Sequence, residues 1–308
     1  VRRVAALVAI AALSAACVSS EAAPRREADA PPAVAATAAP TGATGPDALP
    51  EPDAHVPRRP SRLARTLTAT WAANREAISR WTTDGGSASW PVAEDVELLS
   101  LYEQRIYRTL AARPALAARV LARLDRPLAA EARLLSDAGR ALYEHVAPLK
   151  HLPDLRVRRP EPADALHSYL GEAEERFGVS WSVLAAVMLV ETRMGRVRSS
   201  SSAGARGPMQ FLPSTWEAYG LGGDIRDPHD AILGAANYLR ASGAPAQLGR
   251  ALYAYNPVDA YVRAVRAYAR VIARDRDAFY TLYNWQVFVR TTHGDVRLSG
   301  PGLPGLRA

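Results

Sequence analysis

The sequence predicts a mainly α protein of two helical units closed by a β-hairpin, and three stretches carry that prediction. Apolar residues recur at helical spacing through Leu98, Leu101, Tyr102, Ile106 and Leu110, and again through Leu116, Val120, Leu121 and Leu124. Val183 to Val190 is apolar at every position, so a helix formed there has no polar face and must be enclosed by protein on most sides. Near the C-terminus Trp285, Val287 and Val289 alternate with Gln286, Phe288 and Arg290, and Thr292-His293-Gly294-Asp295 turns the chain toward Val296 and Leu298.

Taken in chain order, residues 1–16 have the organisation of an export signal. Arg2 and Arg3 form a basic start, Ala5 to Leu13 an apolar stretch too short to span a bilayer, and Ser14-Ala15-Ala16 a small-residue cleavage site. Cys17, the single cysteine, follows at once, and Leu13-Ser14-Ala15-Ala16-Cys17 resembles the lipobox of bacterial lipoproteins, with the leucine one place further out than is commonest. Lipidation at Cys17 would anchor the chain to a membrane on the exported side, in the cell envelope, and one cysteine excludes an intramolecular disulfide framework. Residues 17–60 are rich in Ala and Pro with few large apolar residues, so they are expected to be a disordered linker.

Residues 61–155 are expected to form a helical domain, with Pro114 and Pro127 marking helix starts or breaks and Asp84-Gly85-Gly86 a turn. Trp71, Trp81 and Trp90 read as core residues in preference to sugar platforms. Residues 156–298 form the second unit, including the hairpin, and the Gly- and Pro-rich residues 299–308 read as a loose tail.

The chemistry concentrates in the second unit. Ser180 before Trp181 is a natural helix N-cap, and Gly195 is placed to end that helix with a positive φ. Between them Glu191 shares a helix face with Leu184, Val187 and Met188, at i−7, i−4 and i−3. A carboxyl on that face is desolvated, which raises its pKa and suits a general acid working near neutral pH. From helix position alone the alternative is an ordinary helix-end glutamate paired with Arg193 or Arg196. Gly204 and Gly207 in the following loop let the backbone approach a ligand or simply form a surface turn.

Four ordered motifs sharpen this reading: Glu191-Thr192-Arg193-Met194-Gly195; Gly207-Pro208-Met209-Gln210-Phe211-Leu212-Pro213-Ser214-Thr215-Trp216; Asp230-Ala231-Ile232 with Ala235-Ala236-Asn237-Tyr238-Leu239; and Tyr255-Asn256. Together, over about residues 160–275, they resemble the lytic murein transglycosylases, most closely the membrane-bound lytic transglycosylase B family and its relatives in high-GC bacteria. The resemblance implies a lysozyme-like (α+β) catalytic domain that cleaves the β-1,4 bond between N-acetylmuramic acid and N-acetylglucosamine in peptidoglycan. It implies that Glu191 is the single catalytic acid/base, and that Ser201, Gln210, Tyr238, Tyr255, Asn256 and Tyr261 line the glycan groove. Pro257-Val258 departs from the family, which more often carries small or polar residues there.

The residues support a sugar groove independently, because tyrosine offers both a flat apolar face and a hydroxyl. Packing remains the alternative for Tyr255 and Tyr261, and is the preferred reading of Tyr253. No second carboxylate stands out. Glu217 reads as part of an S-x-x-E capping box with Ser214, Asp227 and Asp230 as cap and first-turn acids around Pro228, and Asp259 as a cap or partner within an Arg-rich helix, while Asp224 is unassigned. Substrate-assisted glycosidases dispense with the second carboxylate by using the sugar's acetamido group.

Composition narrows the partners. The net charge of +7 comes almost wholly from arginine, Lys150 being the only lysine, and suits anionic wall polymers and phospholipid headgroups. High arginine and alanine, with Val1 read as an alternative start, point to a GC-rich genome. No base-reading module is present, so nucleic acid is not an expected partner. The six histidines form no H-E-x-x-H or Cys/His cluster, and neither a Walker P-loop nor a G-x-S-x-G elbow occurs, so no metal or cofactor is expected. The competing readings are a non-catalytic peptidoglycan-binding or scaffold lipoprotein, and a lysozyme-like hydrolase.

Overall fold

Helix formation begins at Pro60, where a fixed φ and a missing N–H suit a first helical turn. The computed structural model describes residues 48–83 and 91–303; the export signal, Cys17, most of the linker, the Asp84-Gly85-Gly86 turn, Trp90 and residues 304–308 lie outside the described residues. Within them the first unit contains α1 (Pro60–Thr83), α2 (Glu94–Ala111), α3 (Pro114–Leu121) and α4 (Arg126–His145). Three acids in the first turn of α2, Glu94, Asp95 and Glu97, oppose the positive end of its dipole. Pro114 opens α3, and Pro127 sits in the first turn of α4 behind Asp125, whose carboxylate accepts the Leu128 N–H at 2.9 Å.

The second unit runs α5 (Ala163–Phe177), α6 (Trp181–Thr192), α7 (Pro213–Tyr219), α8 (Pro228–Ala241), α9 (Leu248–Tyr255), α10 (Asp259–Arg274) and α11 (Arg276–Tyr283), then β1 (Phe288–Thr291) and β2 (Gly294–Arg297). The expected mainly α class with a C-terminal hairpin is what the chain adopts. The two strands pair antiparallel from Phe288 opposite Arg297 to Thr291 opposite Gly294, around the predicted Thr292-His293 turn. Asp227 caps α8 as expected, accepting the Asp230 N–H at 3.0 Å. The Ser214–Glu217 capping box does not form: α7 begins two residues earlier than a Ser214 cap requires, at Pro213, so Ser214 lies inside the helix and Leu212 occupies the N-cap without a side-chain bond.

Helix α10 joins the two units. It packs most broadly against α4 and α6, burying Tyr261, Ala264, Val265, Tyr268, Val271 and Ile272 while Arg263, Arg266, Arg270 and Arg274 face outward. One hydrophobic core therefore runs from Leu63 and Leu67 of α1 to Leu239 of α8 and Tyr283 of α11. Trp71 and Trp81 are partly buried against it; Trp71 donates to Glu131 at 3.1 Å, and Trp81 packs edge-on to Tyr280 at 5.5 Å between centroids.

Both flanks of the described chain are docked. Of the stretch read as linker, Pro52 and His55 offer carbonyls to Arg105 (2.6 Å) and Tyr102 (3.0 Å) of α2, and Asp53 pairs with Arg105 at 3.1 Å. Ser299, at the start of the stretch read as a loose tail, is fully buried; its Oγ accepts the Val287 N–H at 2.9 Å and donates to Gln286 Oε1 at 2.8 Å. The hydroxyl satisfies a backbone group that the hairpin itself cannot reach, which is why the chain stays ordered past β2.

Gln104 of α2 makes a two-pronged bond to the chain just before the hairpin: its Nε2 donates to the Gln286 carbonyl at 2.9 Å and its Oε1 accepts the Gln286 N–H at 2.8 Å. Gln104→Ala leaves both buried backbone groups without partners, and should cost roughly 2–4 kcal/mol in denaturant unfolding of the full chain. A loss under about 0.5 kcal/mol would mean that the two units are not held together at this point.

Candidate active site

The wholly apolar run of α6 is buried from Val183 through Val190, with Leu184 and Val187 at 0% exposure and Met188 at 1%. Ser180 occupies the N-cap as expected, but its hydroxyl meets that of Ser182 at 2.9 Å, and the Glu174 carboxylate accepts the Trp181 N–H instead at 3.2 Å. The helix ends earlier than Gly195 would suggest. Arg193 is the C-cap, and Arg193, Met194 and Gly195 take φ values of 54°, 58° and 81° in succession. Two non-glycine residues at positive φ cost of the order of 1 kcal/mol or more each, so surrounding contacts must enforce the turn.

Thr192 supplies such a contact, and sequence reasoning passed over it. Its Oγ1 donates to the Pro208 carbonyl at 2.6 Å and accepts the Gly195 N–H at 2.9 Å, tying the helix end to the glycine-flanked loop. In that loop a Cβ on Gly207 would lie 1.7 Å from the Ile225 carbonyl oxygen, and its φ is 74°. Gly207 is thus required by close approach of protein backbone. Gly204 needs only its φ of 82°, as open space surrounds it.

Glu191, the penultimate residue of α6, is 2% exposed, and neither carboxyl oxygen has a hydrogen-bond partner. The ordinary helix-end pairing does not occur: Arg193 Nη1 donates to the Leu189 carbonyl at 2.9 Å, and Arg196 Nη1 to the Tyr283 carbonyl at 2.6 Å. Burial pushes the Glu191 carboxyl up to about 8; the neighbouring Tyr261 hydroxyl draws it back only in part, without a completed hydrogen bond. Burial and the adjacent Glu191 in turn hold the hydroxyls of Tyr255 and Tyr261 well above the usual tyrosine range, so both stay neutral donors.

Of the other predicted groove residues, Tyr255 and Tyr261 lie beside it and Tyr238 adjoins Tyr255. Tyr261 of α10 stacks on Tyr255 at 6.4 Å with planes 5° apart, and Tyr255 contacts Tyr238 of α8 at 5.6 Å. Two of these hydroxyls are committed to backbone: Tyr255 donates to Met209 at 2.7 Å and Tyr238 to Ala254 at 2.8 Å. Tyr253 is 48% exposed, contrary to the packing role preferred for it. Asn256 is 1% exposed with both side-chain polar atoms unpartnered, and Gln210, at φ 49°, donates to the Gly207 carbonyl at 3.0 Å while its Oε1 has no partner. Glu191, Gln210, Asn256 and Tyr261 each hold at least one buried polar atom without a partner, an arrangement that costs stability unless a ligand uses it. Ser201 differs. Its Oγ accepts the Ala205 N–H at 3.0 Å, so it shapes the loop.

Among carboxylates, Glu217 is exposed on α7, Asp259 is the first residue of α10, and Asp224 accepts the Arg226 N–H at 2.9 Å. Asp227, His229 and Asp230 bring ligand atoms within 4.8 Å of one another, the composition of a small cation site. Asp227 and Asp230 already accept the Asp230 and Asp224 N–H groups, however, and His229 meets Glu172 at 2.8 Å.

Residues 168–275, about a third of the chain, match the family described as Transglycosylase SLT domain, which spans Glu191 and every groove residue named above. Among individual proteins, the chain is 28% identical over 153 residues to a membrane-bound lytic murein transglycosylase F of Thiobacillus denitrificans, covering 46% of this chain and 32% of that relative. This chain thus corresponds to about a third of the relative's length. The Escherichia coli lytic transglycosylase SLT35 in complex with bulgecin A aligns over 65% of this chain and 93% of its own at 15% identity, with a TM-score of 0.33, too low to bear on the fold.

The Glu191 environment has a thermodynamic signature. Its folded pKa of about 8 exceeds that of an unfolded glutamate, so this group's contribution to stability is fully present below about pH 4.5 and is lost as pH rises through about 8. Glu191→Gln removes this titration. The variant should therefore gain on the wild type in Tm between pH 5 and pH 8; a difference that stays constant would place the carboxylate in a solvated or paired setting.

Proposed function

We propose that the chain is a lytic transglycosylase that cleaves the β-1,4 bond between N-acetylmuramic acid and N-acetylglucosamine, with Glu191 as its single acid and base. The observation that carries this reading is the buried, unpaired Glu191 carboxyl held up to about 8 beside the unpartnered Tyr261 hydroxyl, with further unpartnered buried polar atoms on Gln210 and Asn256. A scaffold that merely bound the wall would have no use for an acid whose burial costs stability.

In this reading protonated Glu191 donates to the glycosidic oxygen as the C1–O bond breaks, and the N-acetyl oxygen of the muramoyl sugar supports the positive charge at C1. The carboxylate then takes the proton of that sugar's own C6 hydroxyl, whose oxygen closes on C1. The product is a 1,6-anhydro end, Glu191 recovers its proton, and no water is consumed. Because the nucleophile belongs to the substrate, no second carboxylate is required, and effective molarities of order 10⁵ M or more become accessible to a well-oriented group. Asn256 and Gln210 supply amide donors and acceptors for acetamido and hydroxyl groups, and the stacked Tyr255 and Tyr261 supply the apolar wall. Ser201 and Tyr238 support that wall from the loop and from α8.

Digestion of purified peptidoglycan should release muropeptides with 1,6-anhydromuramic ends, one water lighter than hydrolytic products and not reducible by borohydride. Glu191→Gln should lower release by roughly 10²–10⁴-fold, whereas Glu217→Gln, on an exposed face of α7, should leave it running. Predominantly reducible ends would make the enzyme a lysozyme-like hydrolase, and undiminished release by Glu191→Gln would remove Glu191 from the chemistry.

We further propose that the protein works in the cell envelope, held to a membrane by lipid on Cys17. None of the helices among the described residues is long and apolar enough to cross a membrane, so anchoring rests on the lipobox-like Leu13–Cys17 segment. Cys17→Ser should move the mature protein from the membrane fraction to the soluble one; detergent-requiring association that persists in the variant would rule the anchor out.

A further inference from the structure

A second site lies on the side of α6 that carries Val190 and Arg193. There α2, α4, α10 and β1 enclose a cavity of about 110 Å³. Its walls combine an apolar surface, from Leu142, Val190 and the rings of Trp285 and Phe288, with three guanidinium groups, those of Arg108, Arg193 and Arg290. The charges are poorly balanced. Arg108 pairs with Asp295 at 2.5 Å, but Arg290 reaches only the Tyr143 and Val146 carbonyls (2.6 and 2.9 Å) and the face of Tyr143. Arg193, mostly buried, makes one bond, to the Leu189 carbonyl at 2.9 Å, and Arg108 beside it adds repulsion. Trp285 is 4% exposed, and its indole N–H has no acceptor.

An enclosed cation and an unpartnered N–H in an otherwise apolar pocket are complementary to an anion that brings its own apolar body. We propose that this cavity binds a small organic carboxylate, its oxygens received by Arg193 and the Trp285 indole N–H and its apolar part seated against Leu142 and Val190. The pocket leads outward through Arg108, Tyr143 and Phe288 into an open groove where Arg58, Arg105, Arg113 and Arg297 outnumber the acids Asp53 and Asp295, leaving an excess of positive charge. That groove gathers anions, and it lets the carboxylate be either a free acid or the C-terminal residue of a peptide whose preceding residues lie outside. This site is separate from the reaction at Glu191 and does not depend on it.

Calorimetric titration of the full chain tests the assignment with N-acetylleucine and the peptide acetyl-Ala-Ala-Ala-Leu, each as its acid and as its C-terminal amide, and with inorganic phosphate. Both acids should bind saturably and the amides at least tenfold more weakly. The tighter of the two acids identifies the source, a free small acid or a peptide end. Trp285→Phe, which keeps a ring and removes the N–H, and Arg193→Gln should each weaken the acids about tenfold or more. Equal binding of acids and amides, phosphate binding as tight as the acids, or acid affinities unchanged in both variants would overturn the proposal, and so would the failure of either acid to bind the unaltered chain.

Discussion

The structure depends on one constraint: a helix without a polar face ends in a carboxyl that has no counter-ion. Because α6 cannot present any side to water, α5, α8, α10 and α11 must all cover it, and the same cover removes solvent from Glu191. Two arginines follow within five residues, and either could have neutralised it. Both point elsewhere, Arg193 along its own helix to Leu189 and Arg196 to the Tyr283 carbonyl. An ion pair there would favour the charged form and lower the carboxyl pKa. Burial raises the Glu191 carboxyl to about 8, and no guanidinium pairs with it to bring it back down.

Helix α10 passes this constraint to the rest of the molecule. Near its start Tyr261 faces Glu191; two turns on, Tyr268 lies beside Arg193; its other side is the wall on which α4 packs. The first unit is tied to that wall by buried polar groups as well as apolar contact. Asn74 of α1 donates to Glu103 at 3.0 Å and to Thr281 at 3.1 Å while accepting from Ser100 at 3.1 Å. Arg75 bridges Glu131 of α4 at 3.1 Å and Asp275 before α11 at 2.8 Å. Breaking buried networks of this kind costs more than forming them gains, so they specify one docking geometry more than they add stability. Burial raises the Glu103 carboxyl to about 7, and the amide that Asn74 donates to it draws it back only in part.

Legibility in the sequence followed how local the cause was. The apolar run of α6, the alternation of the hairpin, Asp227 ahead of Pro228 and the proline starts of α3 and α4 depend on neighbours in the chain, and each was readable. Bringing Tyr255 and Tyr261 beside Glu191 depends on long-range packing, and was readable only through the resemblance of their motifs. Three features escaped, one through a neighbouring proline and two through distant groups. Ser214 and Glu217 have the spacing of a capping box, but Pro213 starts the helix and puts Ser214 inside it. Gly195 looked like the helix stop, yet the turn begins at Arg193 because Thr192 bonds a carbonyl sixteen residues away. The burial of Asn74, Ser100 and Glu103, which sequence reasoning did not address, depends on helices distant in the chain, with Thr281 of α11 accepting from Asn74.

The left-handed turn at Arg193 and Met194 explains why two such different surroundings meet at one helix end. Continuing α6 for another turn would carry Arg193 about 100° further for each residue beyond Glu191 and extend the helix past the loop that must return over the acid. Stopping it with three successive positive φ residues reverses the chain at once. Pro208 then comes within reach of the Thr192 hydroxyl, Gly207 is pressed against the Ile225 carbonyl, and Gln210 is delivered in its own left-handed conformation. The same reversal leaves the Arg193 side chain on the far side of the helix, against Tyr268 and the cavity. The backbone strain thus begins at Arg193 itself, and with its guanidinium held by the Leu189 carbonyl the cation does not pair with the buried carboxyl two residues before it in sequence.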